Sequence, residues 1–417
     1  MNTKTTVLSA LLLSVLGGTL AAPQALAAEQ CEIDTRKTRV VSERVGRKVQ
    51  KAYELYAEDQ VDAALAELIE IDPSGDFDKA YVARMIGSLY AGKEGHAKTA
   101  LKHLKIAVDI DQLGGSDHAN TLRLLGDLNI SERHFDDALK YYDQWMAFSC
   151  KEDTNVYLRM ASAKYELKQY ADTLTYADKA IASQKEPNKG PYSLKMAAFY
   201  ESKKYDDAAK IAEEIVRLFP QDRRHWIQLA QMYMLGEDYK KSLYTMDIAY
   251  RRGYLETASE YKMLAQLYAQ NEIPHQSAKI QEKYLKDGLV EKDESSLSML
   301  ANTYHQAKSI DKAISYYGEA ATMSNNSRYF MRQASLLMER ERFKEAKVAA
   351  RKALEGEGLK SAGEVQMLLA QAHFYLGEYK SAHSAVVSAS KDPKSKNAAR
   401  GWLSYIKETA DRKGVQL

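Results

Sequence analysis

The amino-acid sequence predicts an all-α protein built as a solenoid of about ten helical hairpins. Apolar residues recur at spacings of three and four, which is the spacing of one face of a helix. A pattern of small and aromatic residues returns about every 35 residues along most of the chain. The 417 residues include only 7 Pro and few Gly-rich stretches, which argues against an all-β protein dense in turns.

The repeat is clearest in three stretches that share the frame aromatic or Leu-x-x-Leu-Ala-x-x-Tyr. These stretches are residues 226–233, 261–268 and 297–304. Each is followed by a break and then by a second run of small and aromatic residues at helical spacing. Two helices joined by a short turn form a hairpin. One hairpin cannot bury its own apolar face, so neighbouring hairpins must stack.

Small residues mark the places where the two helices of each hairpin are expected to cross, because close helix packing requires small side chains there. In the first helices this position is held by Ala52, Gly87, Gly126, Ala161, Met196, Ala230, Ala265, Ala301, Ala334 and Ala370. In the second helices it is held by Ala64, Ala100, Ala138, Thr173, Ala208, Ser242, Ser277, Ala313, Ala346 and Ala382. Met196 is the one large residue in the two series.

This pattern resembles the tetratricopeptide repeat, a helical hairpin of about 34 residues. The resemblance is strongest over 224–322 and weakest over 45–80, where Ile71-Asp72-Pro73 ends the second helix early. It implies a right-handed superhelix that binds a protein or peptide along its concave face. We expect a repeat array over 45–393, an N-terminal segment over 28–44, and a C-terminal capping helix and tail over 394–417.

Residues 1–27 are typical of a secretory signal peptide. Lys4 provides a positive charge near the N-terminus, an apolar run covers 7–20, and Ala25-Leu26-Ala27 forms a small-x-small cleavage site. The apolar run is shorter than the roughly 20 residues that span a bilayer. We therefore expect export, with cleavage after Ala27 and no transmembrane segment in the mature chain; an uncleaved anchor helix is the alternative.

Export places the two cysteines of the chain in an oxidising compartment. Cys31 and Cys150 are therefore expected to form one disulfide. Such a bond would tie the mature N-terminus to a distant part of the chain and stabilise it by roughly 4–5 kcal/mol in the chain-entropy model. The alternative is two unpaired thiols.

The residue that follows each small residue of a first helix is expected to face the concave groove. In the later repeats this residue is Gln231, Gln266, Asn302 and Gln371, with Ser335 interrupting the row. Carboxamides both donate and accept hydrogen bonds, so such a row can hold the backbone of an extended peptide. Three positions further on come the candidate apolar anchors Tyr165, Tyr200, Met234, His305, Met338 and Phe374. The alternative is a row of solvated polar groups beside packed aromatic rings.

Composition and motifs argue against several other functions. Lys and Arg number 59 against 57 Asp and Glu, so nothing in the charge favours a nucleic-acid partner. The chain has no His-Glu-x-x-His or Gly-x-Ser-x-Gly motif, so we predict no enzyme, no catalytic or metal site and no cofactor. The basic stretch 36–51, in which Val41, Val45 and Val49 recur every four residues, predicts an amphipathic helix. We interpret its charges as the solvated face of the first repeat rather than a contact for an anionic partner.

Several segments resemble a narrower family, the exported tetratricopeptide proteins associated with the TonB energy-transduction system of Gram-negative bacteria. These segments are residues 46–52, 264–269, 304–308, 316–321 and 374–380, and a cysteine soon after the signal also fits. The resemblance implies a periplasmic accessory of TonB, ExbB and ExbD, which drive uptake of iron complexes across the outer membrane. A general envelope assembly scaffold or chaperone for outer-membrane or secreted proteins is the alternative, and a cell-wall enzyme is less favoured.

Overall fold

The computed structural model of the protein describes residues 31–417, and its regular structure there consists of twenty-two α-helices. The predicted signal peptide, residues 1–27, lies outside the described residues. Ten helical hairpins follow one another along the chain, so the predicted all-α class and hairpin architecture are confirmed.

The hairpins are preceded by the short helix α1 (Glu32–Thr35) and followed by α22 (Lys396–Arg412). The first helices of the hairpins are α2 (Glu43–Ala57), α4 (Asp76–Ala91), α6 (Gly115–Ser131), α8 (Thr154–Glu166), α10 (Lys189–Glu201), α12 (Arg223–Leu235), α14 (Ala258–Gln270), α16 (Glu294–Gln306), α18 (Ser327–Glu339) and α20 (Ala362–Tyr375). The second helices are α3 (Val61–Ile69), α5 (Ala97–Ile110), α7 (Phe135–Ser149), α9 (Tyr170–Ser183), α11 (Tyr205–Leu218), α13 (Tyr239–Arg251), α15 (Pro274–Lys286), α17 (Ile310–Ser324), α19 (Phe343–Glu355) and α21 (Tyr379–Ala389).

Small residues lie buried where the two helices of each hairpin cross. A Cβ added to Gly126 would lie 2.5 Å from the ring of Tyr142, so no larger residue fits there. In two later hairpins the Ser242 hydroxyl donates to the carbonyl oxygen of Ala230 at 2.8 Å, and Ser277 donates to Ala265 at 2.7 Å. These bonds satisfy hydroxyl groups that are buried in the crossing. The size pattern in the sequence therefore marks the crossings correctly, except that Met196 is only half-buried.

Each of the ten hairpin turns contains a residue with positive φ, placed two residues before the second helix. Two of these residues are Gly95 and Gly377. The other eight are Asp59, Arg133, Lys168, Lys203, Glu237, Glu272, Lys308 and Glu341. A left-handed residue after the first helix reverses the chain in a few residues. The common conformation gives successive hairpins the same turn.

The described chain forms two compact units, residues 31–183 and 184–417. The first unit contains α1–α9, and its hairpins pack around clusters that include Leu104, Tyr142 and Met160. The second unit contains α10–α22. Its largest cluster runs through its last hairpins to Ile406 of α22. The boundary falls immediately before the loop that leads to the hairpin containing Met196.

The N-terminal segment packs on α6 and α7 of the first unit. A disulfide joins Cys31 to Cys150, with the two Cα atoms 5.8 Å apart. Gly115 allows this approach, because a Cβ at that position would collide with the backbone of Ile33. The Arg36 guanidinium forms an ion pair with Asp111 at 2.7 Å. The disulfide, the close backbone contact and the ion pair together fix the N-terminal segment to the rest of the first unit.

The predicted amphipathic helix over 36–51 is wrong in its start, because α2 begins only at Glu43. Arg36 instead ends α1, and the backbone N–H of Ser42 donates to Asp78 at 3.0 Å. Within α2 the apolar face is present, since Val45 and Val49 are buried. The helix α3 has only 9 residues, in agreement with the early end expected there.

Candidate partner-binding site

The predicted row of carboxamides lies on the first helices of the second unit. Gln231 of α12, Gln266 of α14 and Asn302 of α16 are exposed, whereas Gln371 of α20 is half-buried. The side chains of Gln231 and Gln266 form no hydrogen bond within residues 31–417. A free carboxamide retains its donors and its acceptor for another molecule. These two residues are therefore equipped to hold a peptide backbone.

Asn302 has a structural partner that the sequence did not reveal. The hydroxyl group of Tyr317 on α17 donates to its side-chain oxygen at 2.5 Å, which joins the two helices of one hairpin. In the first unit Asp127 takes the equivalent place and accepts from the Tyr142 hydroxyl at 2.7 Å. The oxygen of Asn302 is thus occupied within the hairpin, and its amide group remains the part that faces outward.

The predicted apolar anchors mainly pack within their own hairpins. The rings of Tyr165 and Tyr170 lie 5.8 Å apart, and those of Tyr200 and Tyr205 lie 5.9 Å apart. Each pair connects the end of a first helix to the start of the second. Tyr200 remains 43% exposed. The other anchors are half-buried: Tyr165, Met234, His305, Met338 and Phe374. Packing within the hairpin therefore accounts for the aromatic pairs, while Tyr200 keeps a surface for contact.

A groove opens at the C-terminal end of the second unit, between α18, α20 and α22. Its main cavity has a volume of about 400 Å³. A second cavity of about 300 Å³ adjoins it and shares Met331, Glu364 and Lys394. We call the two together the C-terminal groove. Its lining includes Arg328, Met331, Arg332, Ser335, Lys360, Glu364, Leu368, Gln371, Lys394 and Trp402. Two positions of the predicted row, Ser335 and Gln371, thus lie in one cavity.

Aromatic rings continue beside the C-terminal groove. The ring of Phe374 lies 5.6 Å from that of Trp402 and 5.0 Å from that of Tyr405. Tyr375 and Tyr405 are 55% and 49% exposed. Phe374, predicted as an anchor, is therefore the inner member of a cluster whose outer rings face solvent. The sequence assigns Trp402 and Tyr405 to a capping helix and does not reveal that Trp402 lines a groove.

A smaller cavity of about 180 Å³ lies on the first helices of the first unit. Tyr53, Tyr56 and Arg84 line it. Tyr53 directly follows Ala52, as Gln231 directly follows Ala230, so it occupies the same repeat position as the carboxamides. The predicted row does not include Tyr53, because the row is defined by carboxamides and the first repeat has a tyrosine at this position. The repeat register alone would have found it.

Tyrosine–carboxylate hydrogen bonds join successive hairpins in the second unit. The hydroxyl groups of Tyr233, Tyr268 and Tyr304 donate to Glu213, Asp247 and Glu282 of the preceding second helix. Glu282 also accepts from the Tyr316 hydroxyl at 2.8 Å and from Lys312 at 2.7 Å.

Burial of the Glu282 carboxylate opposes its ionisation. Hydrogen bonds from Lys286, Lys312, Tyr304 and Tyr316 outweigh that effect and hold the pKa of Glu282 well below its usual range. The pKa of Tyr304 is raised by burial and by its bond to the same carboxylate. These groups hold the joints between successive hairpins.

Two segments of the chain, residues 197–253 and 331–398, match a family model described as tetratricopeptide repeat. These two segments are similar to tetratricopeptide repeats. The first covers the end of α10 together with α11, α12 and α13, and the second contains most of the C-terminal groove. No curated protein sequence matches the chain. Among residues 31–417 no group of three or more potential metal ligands occurs, and no helix there has the length and apolar character needed to cross a bilayer.

Solved structures with a similar arrangement include several tetratricopeptide repeat proteins. One from Parabacteroides merdae has 13% sequence identity and a TM-score of 0.38, and the match covers 63% of this chain and 99% of that one. MamA from Desulfovibrio magneticus has 17% identity and a TM-score of 0.35, covering 42% of this chain and 96% of its own. The TPR2AB domain of yeast Sti1, in a complex with pHSP90, has 16% identity and a TM-score of 0.26, and the match covers 70% of this chain and 100% of that one.

Proposed function

We propose that the protein is an exported, periplasmic scaffold that binds a partner protein on the first-helix face of its repeats and assists TonB-dependent uptake of iron complexes. The observation that carries the binding role is the pair of exposed carboxamides, Gln231 and Gln266, which have no hydrogen-bond partner within residues 31–417. They occupy the same position in successive hairpins. Repeated hairpins present such positions as an extended surface for a partner.

The cellular part of the proposal rests on sequence features. Residues 1–27 have the pattern of a cleaved signal peptide, which supports export. The segments that resemble TonB-associated proteins, such as 264–269 and 304–308, support a role beside TonB, ExbB and ExbD. Segment 264–269 lies on α14, which presents Gln266, and segment 304–308 covers the end of α16, which presents Asn302, and the start of the following turn.

Site-specific photo-crosslinking in the periplasm tests this proposal. A photoreactive residue replaces Gln266 on α14, and in a matched control it replaces Gln276, an exposed glutamine on α15 of the same hairpin. We expect adducts with a component of the TonB system from position 266 and few or none from position 276. Adducts from 276 alone would contradict binding on the first-helix face. Adducts from 266 that contain outer-membrane or secreted precursor proteins would instead favour an envelope chaperone.

A further inference from the structure

The C-terminal groove is bordered by positive side chains that form no ion pair within residues 31–417. Arg328, Arg332, Lys360 and Lys394 are all exposed, and none forms a side-chain hydrogen bond or ion pair within residues 31–417. The one carboxylate among the lining residues is Glu364. A second carboxylate, that of Asp392, lies beside the groove and accepts from the hydroxyl group of the lining residue Ser361 at 2.7 Å. Four cations against two carboxylates leave a local excess of two positive charges.

Some cations elsewhere in the same hairpins are paired within the protein. Lys347 bonds to Glu378 at 2.7 Å, and Arg342 pairs with Asp311 and Glu345. The chain as a whole is nearly neutral, with a formal charge of +2. Lys344 and Arg351 on α19 are also exposed without an ion pair in the described residues, so what distinguishes the groove is that four such cations line two adjoining cavities. A bound partner of negative charge would supply the missing counter-charges.

The floor of the groove is apolar and contains one carboxamide. Met331, Leu368 and Trp402 provide apolar surface, and Gln371 lies among them. An aromatic ring and a methionine suit an apolar side chain of a ligand. A glutamine amide suits a peptide backbone, which offers both a donor and an acceptor. A single inorganic anion would use none of this surface.

We propose that the C-terminal groove binds an extended acidic peptide segment of a partner protein. Its carboxylates pair with Arg328, Arg332, Lys360 and Lys394, and one apolar side chain lies against Trp402. The backbone of the segment bonds to Gln371. This assignment rests on the proposed role as a partner-binding scaffold but does not depend on the identity of that partner.

The two adjoining cavities fit an extended segment. Because they share Met331, Glu364 and Lys394, a ligand can pass from one to the other without leaving the groove. The cations lie in both parts, with Arg332 in the larger cavity and Arg328 and Lys360 in the smaller one. Glu364 faces both and repels a carboxylate at its own position, so the acidic residues of the segment are expected to be spaced and not continuous.

Binding of a labelled synthetic peptide to the full-length mature chain tests the inference. The probe is a ten-residue acetylated peptide with four separated Glu and a central Leu, and its control has Gln in place of each Glu. We expect the acidic peptide to bind and the neutral one to bind at least tenfold more weakly. The affinity should fall as salt concentration rises, because exposed charge pairs are screened.

A charge-reversal variant identifies the binding surface. Arg332→Glu with Lys394→Glu changes the groove, and Lys344→Glu with Arg351→Glu makes the same charge change on exposed positions of α19 outside it. We expect the groove variant to lose at least tenfold in affinity and the control variant to lose less than twofold. Thermal unfolding verifies that both variants are folded.

Three results would overturn the inference. The first is equal loss of affinity in the groove and control variants, and the second is unchanged binding in the groove variant. The third is failure of the acidic peptide together with groove-dependent binding of an oligonucleotide or of vesicles with anionic lipid. The crosslinking at position 266 is an independent measurement, so a negative peptide result with positive crosslinks there rejects this inference and leaves the proposed function standing.

Discussion

The Tyr304 hydroxyl on α16 donates a hydrogen bond to the Glu282 carboxylate on α15, and thereby joins two successive hairpins. The rings of Tyr304 and Tyr316 stack on each other, 5.8 Å apart and nearly parallel, and both hydroxyl groups bond to this one carboxylate. Lys312 lies over the Tyr304 ring, 4.7 Å from its centre. Its ammonium group donates to the Glu282 oxygen that also accepts from the Tyr304 hydroxyl. A single side chain thus holds three groups from the next hairpin.

Replacing Glu282 is expected to weaken this joint. Glu282→Gln removes the negative charge that Lys286 and Lys312 face. It also replaces one of the two acceptor oxygens with an NH2 group, so that some partly buried donors lose their acceptor. We expect a loss of about 2 kcal/mol in the free energy of unfolding, the usual scale for such a network. Urea denaturation measures it. The exposed Glu291→Gln, which removes the same charge outside the network, should change stability by less than about 0.5 kcal/mol.

The same network predicts a dependence on pH. Because the pKa of Glu282 is lower in the folded chain than in the unfolded chain, its contribution is present above about pH 4.5, the ordinary value for Glu. The contribution is lost as pH falls through the lowered pKa. The difference in stability between the native protein and Glu282→Gln should therefore shrink on acidification. A difference that grows below pH 4.5 would contradict the assignment.

These joints show what the sequence could and could not predict. The crossings within hairpins were predicted because each depends on the size of one residue at a regular position. The tyrosine–carboxylate bonds were not predicted, because the spacing between the two partners is not constant: it is 20, 21 and 22 residues in the three cases. That variation arises from differences in turn length between hairpins. A residue-type search at fixed spacing therefore misses them.

The candidate partner-binding site also contains residues that the sequence could predict and residues that it could not. Gln231 and Gln266 were found because the repeat register determines which side of a first helix is exposed. The C-terminal groove was not found, because it depends on where α22 places Trp402 and Lys394 relative to α18 and α20. Those residues lie outside the repeat, and their positions follow from tertiary packing.

The buried His118 predicts a second dependence on pH, in the first unit. Burial lowers the pKa of His118, and nearby Arg36 lowers it further against the weaker opposing effects of Asp111 and Glu32. The ring packs on Phe148 with centres 4.7 Å apart. Because the folded pKa lies below the ordinary 6.5, stability from the neutral ring is present above about pH 6.5 and declines as pH falls below it.

The variant His118→Gln should remove this decline. We expect the melting temperature of the native protein to fall between pH 7.5 and pH 5.5 by several degrees more than that of the variant. Replacement of His134, which is exposed, by Gln provides the matched control and should leave the decline intact. Equal declines in the native protein and in His118→Gln would show that other groups are responsible.

The disulfide between Cys31 and Cys150 predicts a redox-dependent stability. The bond closes a chain separation of 119 residues. In the chain-entropy model a loop of this length contributes about 4–5 kcal/mol. Reduction should lower the melting temperature of the native protein but leave the double variant Cys31→Ser/Cys150→Ser unchanged. Nonreducing mass spectrometry of protein from the periplasm supplies the direct measurement, and a free thiol on Cys31 there would refute the bond.

The hairpin turns predict a stabilising substitution. Glu272 has φ of 60° in the turn between α14 and α15, and its side chain is exposed and makes no hydrogen bond or ion pair within residues 31–417. A residue with a Cβ is strained in this conformation by about 1–2 kcal/mol relative to Gly. Substitution by Gly relieves this strain, but part of the stabilisation is offset because Gly loses more backbone entropy on folding. We therefore expect Glu272→Gly to raise the free energy of unfolding by about 0.5 kcal/mol.

A glycine in the adjoining helix should have the opposite effect. Lys279 is exposed within α15 of the same hairpin, and Lys279→Gly should destabilise the protein by about 1 kcal/mol, the ordinary cost of Gly in a helix interior. Parallel urea titrations compare the two variants with the native protein. The opposite signs identify backbone conformation as the cause, because both substitutions remove a charged, exposed side chain. Destabilisation by Glu272→Gly as large as that by Lys279→Gly would show that the left-handed turn is not strained.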